Sequence, residues 1–180
     1  MENTKDLISG LPDAAKDLKL NLQSVLSDGS LSVEQRTAVA LACAYVSRNF
    51  ALRDAMQSDA QKTLDEAWLD DAMAAAALMS MNNIYYRFRH MIGKSSYNAM
   101  PAKLRMNRLA NPRTSKLDFE LMCLAVSAIN GCEMCVKSHE HSLLELGANE
   151  SQVHDAVRIA AAVYAAAVSL ELQPAAAGDV

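Results

Sequence analysis

Apolar positions fall at helical spacing along most of the chain, and capping residues divide them into successive helices. A short helix is expected from Asn3 to Ile8, ended by Ser9, Gly10 and Pro12. Asp13 is a candidate N-cap for a second, running to about Leu26 with Leu18, Leu20, Leu22, Val25 and Leu26 near one face. Ser32 with Gln35 has the capping-box pattern and opens an apolar helix from Val33 to about Val46. A shorter helix follows from Phe50 to Met56, and Thr63 with Glu66 repeats the capping pattern ahead of a long helix toward Tyr86 or His90. Residues 93–114 are punctuated by Gly93, Pro101 and Pro112, and read as a solvated basic connector with one helical turn after Pro101. Ser115 caps a helix from Lys116 to Ile129, Asn130 and Gly131 break it, and the next runs from Cys132 to Leu146 and ends at Gly147. Asn149 with Gln152 starts the last long helix, to about Leu170, and a tail begins near Pro174.

Composition sharpens this to an all-α protein. Of 180 residues 51% are hydrophobic, supplied mainly by Ala, Leu, Val and Met, while Gly and Pro are few. The length suits one domain over residues 1–180. A weak internal repeat suggests two helical halves, about 31–92 and 115–172, preceded by N-terminal helices in 1–28 and joined by the connector 93–114. Placing Glu34 on Glu120 gives an offset of 86 (120 minus 34), and placing Glu66, Asp71 and Ala72 on Glu150, Asp155 and Ala156 gives 84 (150 minus 66). At the 86 offset Val46, Asn49 and Arg53 stand where Cys132, Cys135 and His139 do. Net charge is −4, with the basic residues scattered, which excludes a nucleic-acid footprint. The first residues lack a secretory pattern, and the Ala-rich run from Ala72 to Met81 is about half a membrane span, so a soluble cytoplasmic protein is expected. Cys43 and Cys123 stand in apolar stretches and read as core.

The candidate chemistry lies at Cys132, Cys135 and His139, with Glu120 before the helix break. Residues three and four apart share a helical face, so the two thiols and a base are neighbours. If the break at Asn130 and Gly131 folds the flanking helices together, Glu120 and His139 lie roughly 15 and 13 Å from the corner and meet. Glu120 would then fix one ring nitrogen of His139 and leave the other facing Cys135, an arrangement of nucleophile, base and orienter. Position alone does not settle which sulfur is the more acidic, but His139 favours Cys135. The same four side chains are acceptable zinc ligands, which makes a metal site the rival reading. His141 points to another face, His90 and His154 have no visible partner, and Met79, Met81 and Met91 read as packing.

Glu120, then eleven residues, then Cys132-x-x-Cys135-x-x-x-His139 within two helical halves resembles the alkylhydroperoxidase D family of the wider carboxymuconolactone decarboxylase-like superfamily. The resemblance extends over nearly the whole chain, through Leu20-Asn21-Leu22, Ser32-x-Glu34 and the Asn130-Gly131-Cys132 corner. It implies that Cys135 is the peroxidatic cysteine, Cys132 the resolving one, and Glu120 with His139 the proton relay. It further implies a homotrimer with no bound cofactor or metal. Such a trimer takes electrons from dihydrolipoamide carried on a dihydrolipoyl acyltransferase, and delivers them to an alkyl hydroperoxide reductase C-type peroxiredoxin or directly to peroxide. One departure stands out: the family commonly has His immediately before the second cysteine, and this chain has Met134. Weak peroxidase turnover with competent dithiol exchange is the expectation. Two further classes remain open, a decarboxylase-type enzyme of the superfamily, against which the thiol pair argues, and a non-catalytic oligomeric protein.

Overall fold

The computed structural model describes residues 1–172, so the expected tail from Pro174 lies outside the described residues. They form ten helices and a short 3-10 turn, with no strand among them. The helices are α1 (Glu2–Ser9), α2 (Lys16–Ser27), α3 (Val33–Ser47), α4 (Phe50–Ala60), α5 (Glu66–Ile92), α6 (Ser95–Ala99), α7 (Asn107–Ala110), α8 (Lys116–Ile129), α9 (Glu133–Glu145) and α10 (Glu150–Glu171).

Most boundaries follow from their caps. Ser32 and Asn149 each make a full capping box, with Gln35 and Gln152, and Ser115 accepts from the Asp118 N–H. Two expected caps move. Asp13 lies inside the 3-10 turn and does not cap α2, because Pro12 and that turn already set the entry. Asp65, not Thr63, caps α5, accepting from the Ala67 and Trp68 N–H groups, since its carboxylate stands one residue ahead of the first free amides.

The centre of the bundle is α3, α5, α8 and α10. Residues 38–44 of α3 and 121–127 of α8 are buried all round, a pattern only a central helix has. Small side chains let the helices approach closely: Ala72, Ala75 and Ala76 on α5, and Ala156, Ala160, Ala166 and Ala167 on α10. Helix α10 is long and apolar enough to cross a membrane, but it packs in the bundle against α3, α8 and α2. Cys43 and Cys123 are wholly buried, and burial pushes both thiols up, out of reach of ionisation.

Helix caps in the two parts of the chain are spaced close to the 84 read from Glu66 and Glu150, not at 86. The caps Ser32 and Ser115, Asn49 and Cys132, and Asp65 and Asn149 are separated by 83, 83 and 84 residues (115 minus 32, 132 minus 49, 149 minus 65). The corners match too: Arg48 (φ 62°) before α4 and Gly131 (φ 65°) before α9 both take the left-handed conformation. Glu34 is therefore an exposed residue in the first turn of α3, and buried Thr37 takes the place in α3 that Glu120 has in α8.

The connector is solvated as expected, with α7 as the helical turn after Pro101, and it is also tied down. It holds two short helices, and Arg108 bonds both Asp70 and Asp71 on α5, the latter at 2.7 Å. Asp71, fully buried, also accepts from the N–H and hydroxyl of Thr114 at 2.7 and 2.8 Å. Burial alone would raise the Asp71 pKa, but the bonds from Thr114, Arg113 and Arg108 outweigh it and hold the carboxyl below its ordinary value. A depressed folded-state pKa stabilises the fold above the ordinary aspartate range, and that contribution is lost as pH falls through the folded value. Asp59 and Asp155 are depressed in the same way by partners at the N-terminus and at Ser30, so stability should fall together at all three below about pH 4. Asp71→Ala leaves Arg108 and Thr114 without their buried acceptor and is expected to cost about 3 kcal/mol, measured by urea unfolding at pH 7. The same variant should show a weaker dependence of stability on pH between about 2 and 4.

Candidate active site

The corner between α8 and α9 builds the site. Gly131 supplies the left-handed turn without a Cβ penalty, and places Cys132 at the N-cap of α9. Long helix α5 braces this corner from the side. Asn83 donates to Ser127 on α8, Asn130 donates to Asn83, both at 2.9 Å, and Arg87 bonds the Asn130 carbonyl. These contacts fix the backbone from which both cysteines project.

Cys132 and Cys135 are joined as a disulfide, with Cα atoms 5.3 Å apart. Cys132 is wholly buried, whereas Cys135 is 7% exposed and lines a cavity of about 340 Å³ between α5, α7 and α9. His139, one turn further along α9, lines the same cavity. The sulfur that a small molecule meets is therefore that of Cys135.

Glu120 and His139 meet as their distances from the corner require. His139 Nδ1 lies 2.5 Å from Glu120 Oε2, and both residues are buried. The other carboxylate oxygen pairs with Lys116 Nζ at 2.7 Å, one turn back on α8. Burial pushes the Glu120 carboxyl up, but the bonds from His139 and Lys116 outweigh it and keep the group below its ordinary value. An ionised Glu120 makes Nδ1 the protonated nitrogen and leaves Nε2 for proton transfer. In this disulfide form Nε2 does not bond Cys135. It lies 3.3 Å from Met79 Sδ, because the Cys135 sulfur is bound to Cys132 and a thioether fills the space beside the ring.

Sequence reasoning placed all four site residues together, but missed the wall around them. Met79 is core, as expected, yet it also touches His139. Asn82 and Tyr86 continue the Met79 face of α5 at helical spacing, and Met106 and Leu109 close the cavity from the connector. Lys116 was legible as an i, i+4 partner of Glu120. Met134 stands on the cavity wall beside Cys135, 38% exposed. His90 does have a partner, Glu133 Oε2 at 3.4 Å, while His141 is an exposed residue paired with Glu145. Among the described residues no three His, Cys, Asp or Glu side chains converge as a metal-binding group.

Comparison with known proteins agrees with this architecture. The Carboxymuconolactone decarboxylase family model matches residues 96–176, which span α8, α9 and α10. The alkyl hydroperoxide reductase AhpD of Anaeromyxobacter dehalogenans (strain 2CP-C) is 60% identical over 162 residues, covering 90% of this chain and 87% of the relative. The protein of that name from Rhodospirillum centenum is 46% identical, covering 94% and 91%, and that from Brucella abortus (strain 2308) is 45% identical, covering 92% and 95%. With identity of this level over nearly the full length of each relative, the chain belongs to the AhpD family of alkyl hydroperoxide reductases.

Proposed function

We propose that this protein is a thiol-dependent alkyl hydroperoxide reductase whose Cys132/Cys135 pair cycles between dithiol and disulfide. The observation that carries the reading is the buried Glu120–His139 hydrogen bond one helical turn from Cys135, the cysteine that lines the cavity. In the reduced form, His139 Nε2 takes the Cys135 thiol proton. The thiolate attacks the terminal oxygen of a hydroperoxide: an S–O bond forms, the O–O bond breaks, and the leaving alkoxide receives the proton from His139. Cys132 then attacks the sulfenic acid, the S–S bond forms, and water leaves.

Electrons return from dihydrolipoamide by thiol–disulfide exchange. A thiolate entering the cavity meets Cys135, and Cys132 leaves toward the N-terminus of α9, where free N–H groups favour its negative charge. A dihydrolipoyl acyltransferase is the proposed carrier of that dithiol. The acceptor is an alkyl hydroperoxide reductase C-type peroxiredoxin, or peroxide itself, and the names of the relatives support assignment to that system. The proposed setting is the cytoplasm, with no resident cofactor or metal. Assembly as a homotrimer is part of the proposal, and Ile84, Phe88 and Met91, exposed in a single chain along one face of α5, supply apolar surface for it. Descent of the α3–α5 and α8–α10 halves from a duplicated unit is proposed on their matching caps and corners.

The test is peroxide-dependent oxidation of dihydrolipoamide by the purified protein, with and without chelator. Turnover insensitive to chelator supports the reading, and zinc co-purifying with a protein inert to peroxide and lipoamide would overturn it. Met134→His places an imidazole beside the thiol pair. It is expected to raise peroxidase kcat/KM about tenfold while leaving lipoamide exchange within about twofold, read by separate half-reaction kinetics.

A further inference from the structure

Of the polar side chains that line the cavity at Cys135 and that the thiol relay does not use, Tyr86 and Ser138 are reached by solvent and Asn82 is buried. Asn82 lies on α5 one turn beyond Met79, lines the cavity, and is only 4% exposed. Its Oδ1 is buried with no hydrogen-bond partner, and it is the one such side-chain atom among the described residues. The adjacent Asn83 is the contrast, with its amide donating to Ser127 and accepting from Asn130. A buried amide oxygen left unpaired is unfavourable, and a position on a cavity wall gives it a way to be paired by something that enters. The amide rotates easily about its terminal bond, so a small turn presents Oδ1 to the cavity.

The rest of the wall selects what enters. Met79, Met106, Leu109 and Met134 are apolar, Tyr86 and Ser138 add hydroxyls, and Cys135 and His139 stand at the reacting end. The matching ligand has one hydrogen-bond donor close to the atom that the sulfur attacks, on an apolar body of several carbons. An alkyl hydroperoxide has that form: its O–H is on the terminal oxygen. Dihydrolipoamide differs, since its amide N–H is several bonds from the dithiol. Hydrogen peroxide has the donor but no apolar body.

Resting on the function proposed above, we propose that this cavity is the alkyl subsite and that Asn82 Oδ1 accepts the hydroperoxide O–H, aligning the O–O bond with the Cys135 thiolate. The balance is unchanged by this contact. Sulfur loses two electrons to the O–O bond, the alkoxide takes its proton from His139, and the proton bonded to Asn82 stays on the transferred oxygen. Asn82 then holds the O–H of the sulfenic acid until Cys132 displaces it.

The decisive variant is Asn82→Leu, similar in size and unable to accept a hydrogen bond. Single-turnover oxidation of the reduced protein by cumene hydroperoxide is expected to slow about tenfold, with reduction of the disulfide by dihydrolipoamide within about twofold of wild type. The melting temperature should hold or rise, because an unpaired buried oxygen has been removed, whereas an asparagine with a merely structural role would lower it when lost. Leu109→Trp, which fills the cavity, should slow cumene hydroperoxide more than hydrogen peroxide. Binding of cumyl alcohol to the disulfide form reads the subsite without chemistry, and Asn82→Leu should weaken it about tenfold. Unchanged cumene hydroperoxide kinetics in Asn82→Leu overturns the inference, as does a loss confined to the dihydrolipoamide step, which would make Asn82 a contact of the entering lipoyl thiol and not of the hydroperoxide. If wild type resists every hydroperoxide, the proposed function fails. The alcohol then still decides the subsite, and no binding to wild type overturns it.

Discussion

Cys135→Ser is expected to abolish peroxide consumption, with a fall in kcat/KM of at least about 10³-fold, while Cys132→Ser keeps a single turnover. The asymmetry follows from the two cysteines' surroundings. Cys135 lines the cavity beside His139, whereas Cys132 is wholly buried at the N-cap of α9 and reaches no cavity-bound peroxide. A serine at 135 cannot ionise at neutral pH and is a poor nucleophile toward an O–O bond, so no oxidised product should form. A serine at 132 leaves the attacking thiolate in place. That variant should consume one equivalent of hydroperoxide and stall as the sulfenic acid, seen by mass spectrometry as one added oxygen. Burst kinetics followed by a flat line check this, and the reverse assignment of bursts between the two variants would exchange the roles of the sulfurs.

Both variants should fold. The helix start at Cys132 uses no side-chain cap, and the corner is held by Asn83, Ser127, Asn130 and Arg87. Loss of activity with an unchanged melting curve for the reduced protein would then be chemical in origin.

How much of this was legible in the sequence depends on the range of the interaction concerned. Helices whose ends are set within four residues, such as α3 with Ser32 and Gln35 or α10 with Asn149 and Gln152, were readable to within a residue or two. The meeting of Glu120 and His139 was readable as well, because a corner with equal arms brings level residues together. The solvated character of the connector and its helical turn after Pro101 were readable, but its anchoring was not, because that comes from Arg108 and Thr114 reaching Asp71 over 37 and 43 residues. No local pattern encodes such a pairing. Of the two repeat offsets, 84 agrees with the caps of α5 and α10, while 86 is about one helical turn out because Leu31-Ser-Val-Glu34 and Leu117-Asp-Phe-Glu120 share Leu and Glu but not their position relative to the caps. The cavity wall was invisible for a different reason. Met79, Asn82 and Tyr86 form an ordinary helical stripe, and only the approach of α7 and α9 turns that stripe into the side of a cavity.

The relay should show itself in Glu120→Gln and His139→Gln, each expected to lower peroxidase kcat/KM at pH 7 by about 10²- to 10³-fold. Glu120 is the informative member because its charge has two partners, His139 Nδ1 and Lys116 Nζ. Its carboxyl is held below the ordinary glutamate value, so it remains ionised throughout the pH range in which a thiol enzyme works. Replacing it with the neutral amide keeps a hydrogen-bond acceptor for the ring but removes the charge that stabilises an imidazolium. The proton on Cys135 then leaves less readily, and the pH–rate profile of Glu120→Gln should move to higher pH by about one unit or more. Lys116→Met tests the other side of the same carboxylate: with its competing cation gone, Glu120 should support His139 at least as well, so activity at pH 7 should hold within about threefold. Disulfide exchange with dihydrolipoamide uses an incoming thiolate and should fall far less than peroxide reduction in Glu120→Gln. Equal losses in both half-reactions would mean that Glu120 only holds the corner together. Fast peroxide reduction surviving in both Gln variants would remove the relay from the mechanism altogether.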